Sequence, residues 1–213
     1  MVRIRPKDTE LISKLMALRK SYFTVADLGR ILGIGGDSLY VTLSRLVKSG
    51  LLLRLKKNAY IVFTESPDAE KIANELYFPC YLSFESALSK HGILSQLPYT
   101  LTFATTRPSK KMKIRNFEVE FRHLKNELFF GYILENGKNI ATPEKALLDE
   151  LYLMARGKAR VNIEELDLKN IDKKLLEKHA KKFPRYIKKL LDEVKKYLRT
   201  TPVTNERKER IAW

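Results

Sequence analysis

The stretch from Thr24 to Val62, TVADLGRILGIGGDSLYVTLSRLVKSGLLLRLKKNAYIV, limits this chain more than any other. It reads as helix, glycine turn, helix and two-stranded hairpin. Thr24 can cap the first helix, because its hydroxyl accepts a free amide hydrogen bond. Val25, Leu28, Ile31 and Leu32 recur at helical spacing and mark a buried face. Gly33-Ile34-Gly35-Gly36 ends that helix, since glycine loses the most backbone freedom on ordering. Asp37 or Gly36 is then expected to cap a second helix that runs to Gly50, a residue suited to the left-handed position after a helix. In the second helix Leu39, Leu43 and Leu46, with Val47 beside them, share one side. Asp37, Val41, Ser44, Arg45 and Lys48 lie opposite, flanked by Ser38 and Tyr40.

A core stripe backed by a hydrogen-bonding outer stripe is what a helix in a DNA major groove needs. Donors near its start face base edges, and cations face phosphates. Residues 51–63 are apolar and β-prone, broken by Arg54, Lys56, Lys57 and Asn58. Asn58 tolerates a positive φ, so Lys57-Asn58 is expected at the hairpin tip. The expectation is a winged helix-turn-helix. Ser38, Tyr40, Ser44, Arg45 and Lys48 would be its base and backbone contacts, and Arg54, Lys56 and Lys57 its phosphate contacts. The competing reading is a small helical packing module with a solvated face. A basic hairpin directly after the second helix favours DNA.

Charge points the same way. Of the 213 residues, 41 are Lys or Arg and 25 are Asp or Glu, a net charge of +16. Residues 1–63 and residues 158–213 each carry +8, and the middle is neutral. Basic ends around a neutral centre suit a polyanion. No run of about 18 apolar residues is present, so no membrane span is expected. The N-terminus lacks the apolar core of a secretory signal. The single cysteine, Cys80, permits no internal disulfide and fits a reducing cytoplasm.

The remaining segments read as a mixed α/β region. Residues 8–20 form an amphipathic helix with Asp8 or Thr9 as its cap. Ser66-Pro67-Asp68 marks a boundary and opens a short helix over 68–77. Residues 81–98, YLSFESALSKHGILSQLP, give a helix with Ser83 available as cap and Gly92 as stop. Residues 100–123 are strand-like around a polar turn, PSKKMK, and Phe117, Val119 and Phe121 alternate with Glu118, Glu120 and Arg122. LFFGYIL, residues 128–134, continues as a strand into an Asn136-Gly137 hairpin turn. Thr142-Pro143-Glu144 opens a helix that buries Leu147, Leu148, Leu151 and Met154. Residues 163–198 are helical and basic, with an apolar stripe through Tyr186, Ile187, Leu190, Leu191, Val194, Tyr197 and Leu198.

Chemistry-bearing constellations are sparse. His91, His123, His179 and Cys80 lack metal-site spacing. No phosphate loop or dinucleotide fingerprint occurs. Glu118 and Glu120 share a strand face and would suit a metal-dependent nuclease, but the lysine and further acid such sites use are missing beside them. No cofactor, metal or catalytic residue is assigned.

With the winged helix in front, the segments YLSFESALSKHGI, LFFGYI and IATPEKALLDELYL, in that order, resemble the AbiEi family of antitoxins from about Phe23 to Leu153. The resemblance implies a two-domain, non-enzymatic cytoplasmic protein. Its winged helix would bind repeats in its own promoter as an autorepressor, as two protomers on the DNA if the repeats are inverted. Its second domain would counter a nucleotidyltransferase-type toxin. The expected fold is α+β: a winged helix-turn-helix over 1–65, a mixed α/β antitoxin domain over 66–200 ending in basic amphipathic helices, and a polar tail over 201–213. A stand-alone regulator, whose second domain senses a ligand or dimerises, is the alternative.

Overall fold

The computed structural model describes residues 6–63 and 67–200. The tail over 201–213, with Trp213, and Ser66 lie outside those residues. The chain is mixed α+β, with helices first and a sheet after them, and it divides into two compact units. One comprises Met1–Tyr77 with Lys113–Phe117, the other Phe78–Met112 with Glu118–Trp213.

The first unit opens with α1, Pro6–Ala17. It begins two residues before the expected helix, so Asp8 and Thr9 lie inside the first turn rather than at the cap. It ends early because Arg19 turns into the left-handed region, φ 49°. Helix α2, Val25–Leu32, carries the expected cap in reciprocal form. The Thr24 hydroxyl accepts from the Asp27 amide, and the Asp27 carboxylate accepts from the Thr24 amide. The backbone amide and Lys20, 3.0 Å away, hold that carboxyl down at about 2. Helix α3, Gly36–Lys48, has Gly35 at its N-cap without a side-chain bond, so neither Gly36 nor Asp37 serves there. Gly29 sets the approach of α2 to α3: a Cβ there would lie 3.1 Å from the Leu39 side chain.

Strands β1, Leu52–Lys56, and β2, Ala59–Val62, form an antiparallel hairpin with Asn58 at φ 65°. Phe23 extends the pairing, exchanging backbone hydrogen bonds of 2.7 and 2.9 Å with Tyr60. One core holds the unit together, with Leu11, Leu15, Phe23, Leu28, Leu39, Leu43, Leu46 and Leu52 all buried. Helix α4, Ala69–Leu76, capped by Asp68, completes it.

The remaining strands form a six-stranded sheet, all of it in the second unit except Lys113–Phe117. Its strands are β3, Cys80–Leu82; β4, Thr100–Thr105; β5, Lys110–Ile114; β6, Phe117–His123; β7, Tyr132–Glu135; and β8, Lys138–Ala141. Their spatial order is β5-β6-β4-β3-β8-β7. The central β3 pairs antiparallel with β4 and parallel with β8. Two local expectations change here. Most of PSKKMK is strand β5 at the sheet edge rather than a turn, and its lysines suit an edge that discourages further pairing. Residues 128–131 do not continue a strand. A 3-10 turn at Asn126–Leu128 and Gly131 at φ 71° precede β7. Asn136 and Gly137 both take positive φ, as a tight hairpin requires.

Helices α5, Phe84–Lys90, and α6, Pro143–Met154, pack on each other, and α7, Lys173–Ala180, packs on α6. Helix α8, Lys188–Thr200, buries Leu191, Val194 and Leu198 in the same core. The apolar periodicity of α6 points to one buried face, but every residue from Glu144 to Leu153 is buried. A helix surrounded on all sides must find partners for its charged residues inside the protein or hold them neutral.

Candidate nucleic-acid interface

A groove of about 1130 Å³ runs between α2, α3 and the hairpin of the first unit. Tyr40, Ser44 and Lys48 of α3 line it, as do Arg54 and Lys57 from the hairpin. These residues meet because Leu39, Leu43 and Leu46 bury the opposite side of α3, which turns positions 40, 44 and 48 outward one turn apart. Tyr40 is 60% exposed and Val41 70%, unusual for residues of their size. A shallower depression on the same helix takes in Val41 and Arg45 beside Tyr40, Ser44 and Lys48.

Three of the eight expected contact residues sit differently. Arg45 donates from both terminal nitrogens to the buried Asp8 carboxylate, at 2.6 and 2.7 Å, so its fork faces α1. Lys56 reaches the Leu76 carbonyl at 3.1 Å. Ser38 is exposed near the start of α3 but lines neither depression, and its carbonyl accepts the Thr42 hydroxyl. Two residues that are not among the eight expected contacts also line the groove. Arg30, on α2, adds a cation to its wall. Asn58 lines it and also accepts the Val25 amide through Oδ1 at 3.0 Å, fastening the hairpin tip to the first turn of α2. Its turn chemistry was legible, but its bond to a residue 33 positions earlier was not.

The polar chemistry of the second unit lies inside it. Lys145 and Asp149, both fully buried, form an ion pair one helical turn apart. Tyr81 donates to Asp149 at 2.9 Å and Ser83 donates at 2.8 Å, and Lys145 donates to the Tyr81 oxygen at 2.8 Å. Ser83 therefore uses its hydroxyl on Asp149 and does not cap α5. Burial pushes the Asp149 carboxyl up and the Lys145 ammonium down, each against the pull of the other's charge. Gly131 makes room for this lysine, since a Cβ there would lie 3.1 Å from its side chain. Nearby, Arg122 links Glu85 and Glu120 at 2.7 and 3.0 Å. Glu150 is buried with neither carboxylate oxygen hydrogen-bonded. Burial, then the Glu85 charge, push it up to about 8. His91 Nε2 meets the Ala141 carbonyl at 2.7 Å, a packing role at the end of α5.

Among the described residues no cluster of three or more His, Cys, Asp or Glu is arranged for a metal ion, and no helix is long and apolar enough to cross a membrane. Glu120, one of the two strand acids, is held by Arg122.

Comparison with known proteins adds to this geometry. Residues 10–62 match the family model described as a transcriptional regulator, AbiEi antitoxin, a match running from α1 to the end of β2. That segment is similar to transcriptional regulators of an antitoxin family. No curated protein sequence matches the chain. Among solved structures, the crystal structure of the RV2827C protein from Mycobacterium tuberculosis superposes with a TM-score of 0.63. The match covers 91% of this chain and 79% of that one at 18% identity, which shows a shared fold.

Proposed function

We propose that the first unit is a winged helix-turn-helix that binds repeats in its own promoter and represses transcription. In this reading α3 enters the major groove and the β1–β2 hairpin is the wing. The observation that carries it is the shared groove, with Tyr40, Ser44 and Lys48 on one wall and Arg54 and Lys57 on the other. Hydroxyls on a helix suit base edges, and flanking cations suit phosphates. The family match over the same residues supports it. Arg45 serves here as a positioning residue that holds α3 on α1 through Asp8. Ser38 and Lys56 act at the margin of the site. Inverted repeats would place two protomers on the duplex.

We infer further that the second unit neutralises a nucleotidyltransferase-type toxin in the cytoplasm. The ordered segments over 81–93 and 140–153 support this by resemblance. The family match stops at residue 62, which favours one second reading: a stand-alone regulator whose second unit senses a ligand or dimerises.

Mobility shift on the DNA upstream of the gene, across a salt series with unrelated competitor, tests the first claim. Binding that survives competitor and weakens with salt supports promoter recognition. Equal binding to all DNA sinks it, because phosphate attraction alone would account for that. Rescue of cell growth on co-expression with an adjacent nucleotidyltransferase gene tests the second claim. Failure to rescue leaves the stand-alone reading.

A further inference from the structure

Outside the groove, the most concentrated charge lies in the second unit. Lys181, Lys182, Arg185, Lys188 and Lys189 fall within nine residues that contain no acid. All five are exposed, while Phe183 and Ile187 between them are buried at 7% and 2%. The two apolar anchors fix the segment to the core and leave the cations outward. A 3-10 turn at Arg185–Ile187 joins the end of α7 to α8, so the charges follow a bend rather than one helix face. Lys182 stands 4.2 Å over the Phe130 ring. Tyr186, half-exposed among the cations, leans on Tyr152 with ring centroids 5.9 Å apart.

Among the described residues Lys181, Arg185, Lys188 and Lys189 form no ion pair. Asp192 and Glu193, one turn further along α8, leave them unpaired, although Lys195 of the same helix does reach Glu177 at 3.1 Å. These cations do not serve the helix either. Lys188 and Lys189 occupy the first turn of α8, the positive end of its dipole, where acids stabilise and cations do not. The surface therefore bears uncompensated repulsion that an approaching polyanion would relieve.

We infer that this bend is a second nucleic-acid surface, which binds the phosphate backbone independently of base sequence. Its composition favours nucleic acid over an acidic protein. Lysine is depleted in protein–protein interfaces, whereas it is a common phosphate contact. An exposed tyrosine beside the cations provides a flat platform on which a base can stack. The assignment goes beyond the promoter reading, which uses only the first unit, and does not depend on it.

The test uses the full chain with K181Q/R185Q/K188Q/K189Q, substitutions that break no bond within the protein. Fluorescence anisotropy with a random-sequence duplex and a random single strand, each over a salt series, reads the slope of log K against log salt. Loss of four phosphate contacts should reduce the slope by about 3 to 4, with the melting temperature unchanged or raised, since the substitutions relieve repulsion at the start of α8. Slopes equal to those of the parent on both probes overturn the inference, as does a parent chain that binds neither. Unchanged nucleic-acid binding with lost binding to polyglutamate also overturns it and assigns the bend to an acidic protein. Failure of promoter recognition leaves these readings intact, because both probes have random sequence.

Discussion

Arg45 of α3 and Asp8 of α1 meet through two parallel hydrogen bonds, 2.6 and 2.7 Å, across 37 positions of sequence. A bidentate guanidinium–carboxylate pair fixes direction as well as distance. It sets how the outward face of α3 is presented.

Replacing Arg45 with alanine should therefore cost folding stability first. Asp8 is only 4% exposed, and removing its charged donor should cost about 2 kcal/mol. Urea denaturation of Arg45→Ala, Asp8→Ala and the double variant should show coupling between the two sites. A single variant with parental stability but weakened DNA binding would instead make Arg45 a direct reader of DNA.

The Asn58–Val25 bond makes a separate prediction. Asn58→Gly keeps the positive φ but removes the acceptor from the first turn of α2. By analogy with a lost helix cap, it should destabilise the first unit by about 1 kcal/mol. Hydrogen exchange at the Val25 amide should quicken. Asn58→Ala adds the left-handed penalty of a Cβ, about 1–2 kcal/mol more. Equal stabilities of the two variants would show that the turn relaxes.

The Lys145–Asp149 pair should behave as a buried unit. Asp149→Ala leaves the Lys145 ammonium inside the second core without its counter-charge, at a cost of about 3–5 kcal/mol. Lys145→Met with Asp149→Leu removes both charges and should be far less damaging than the two single costs combined. Additive losses in thermal unfolding would refute the coupling.

Glu150 predicts a pH dependence. Its carboxyl is raised from 4.5 to about 8, so at neutral pH it is protonated when folded and ionised when unfolded. The folded state binds the extra proton between those values, and stability should fall as pH rises from about 4.5 to about 8. The slope from this group is at most about 1.4 kcal/mol per pH unit. Glu150→Gln should flatten that decline, with the largest gain near pH 8. A variant whose stability still falls as steeply would show that another group titrates.

Much of the fold was legible from local rules. Thr24, Gly50, Asn58, Asn136-Gly137 and Thr142-Pro143 each mark an element boundary, because capping and turn preferences act between residues a few positions apart. The outward side of α3 also followed from spacing, since its leucines occupy the opposite face. The edge strand β5 was harder to see. Its lysines read as a turn, and pairing with β6 made it a strand.

The amino-acid sequence alone determined most of the helix and hairpin boundaries, which faces are apolar, and that the charge gathers at the two ends. Tertiary structure decided what the charged side chains do. Helical spacing marks Arg45 as a surface cation and leaves Lys145 and Asp149 off the apolar face of their helix, yet the first meets Asp8 and the other two are fully buried. Tyr81 and Ser83 reach Asp149 from 68 and 66 residues away. The Lys145–Asp149 pair is local to α6, but the hydroxyls that complete its hydrogen bonding are distant in sequence, and only the folded chain brings them within reach.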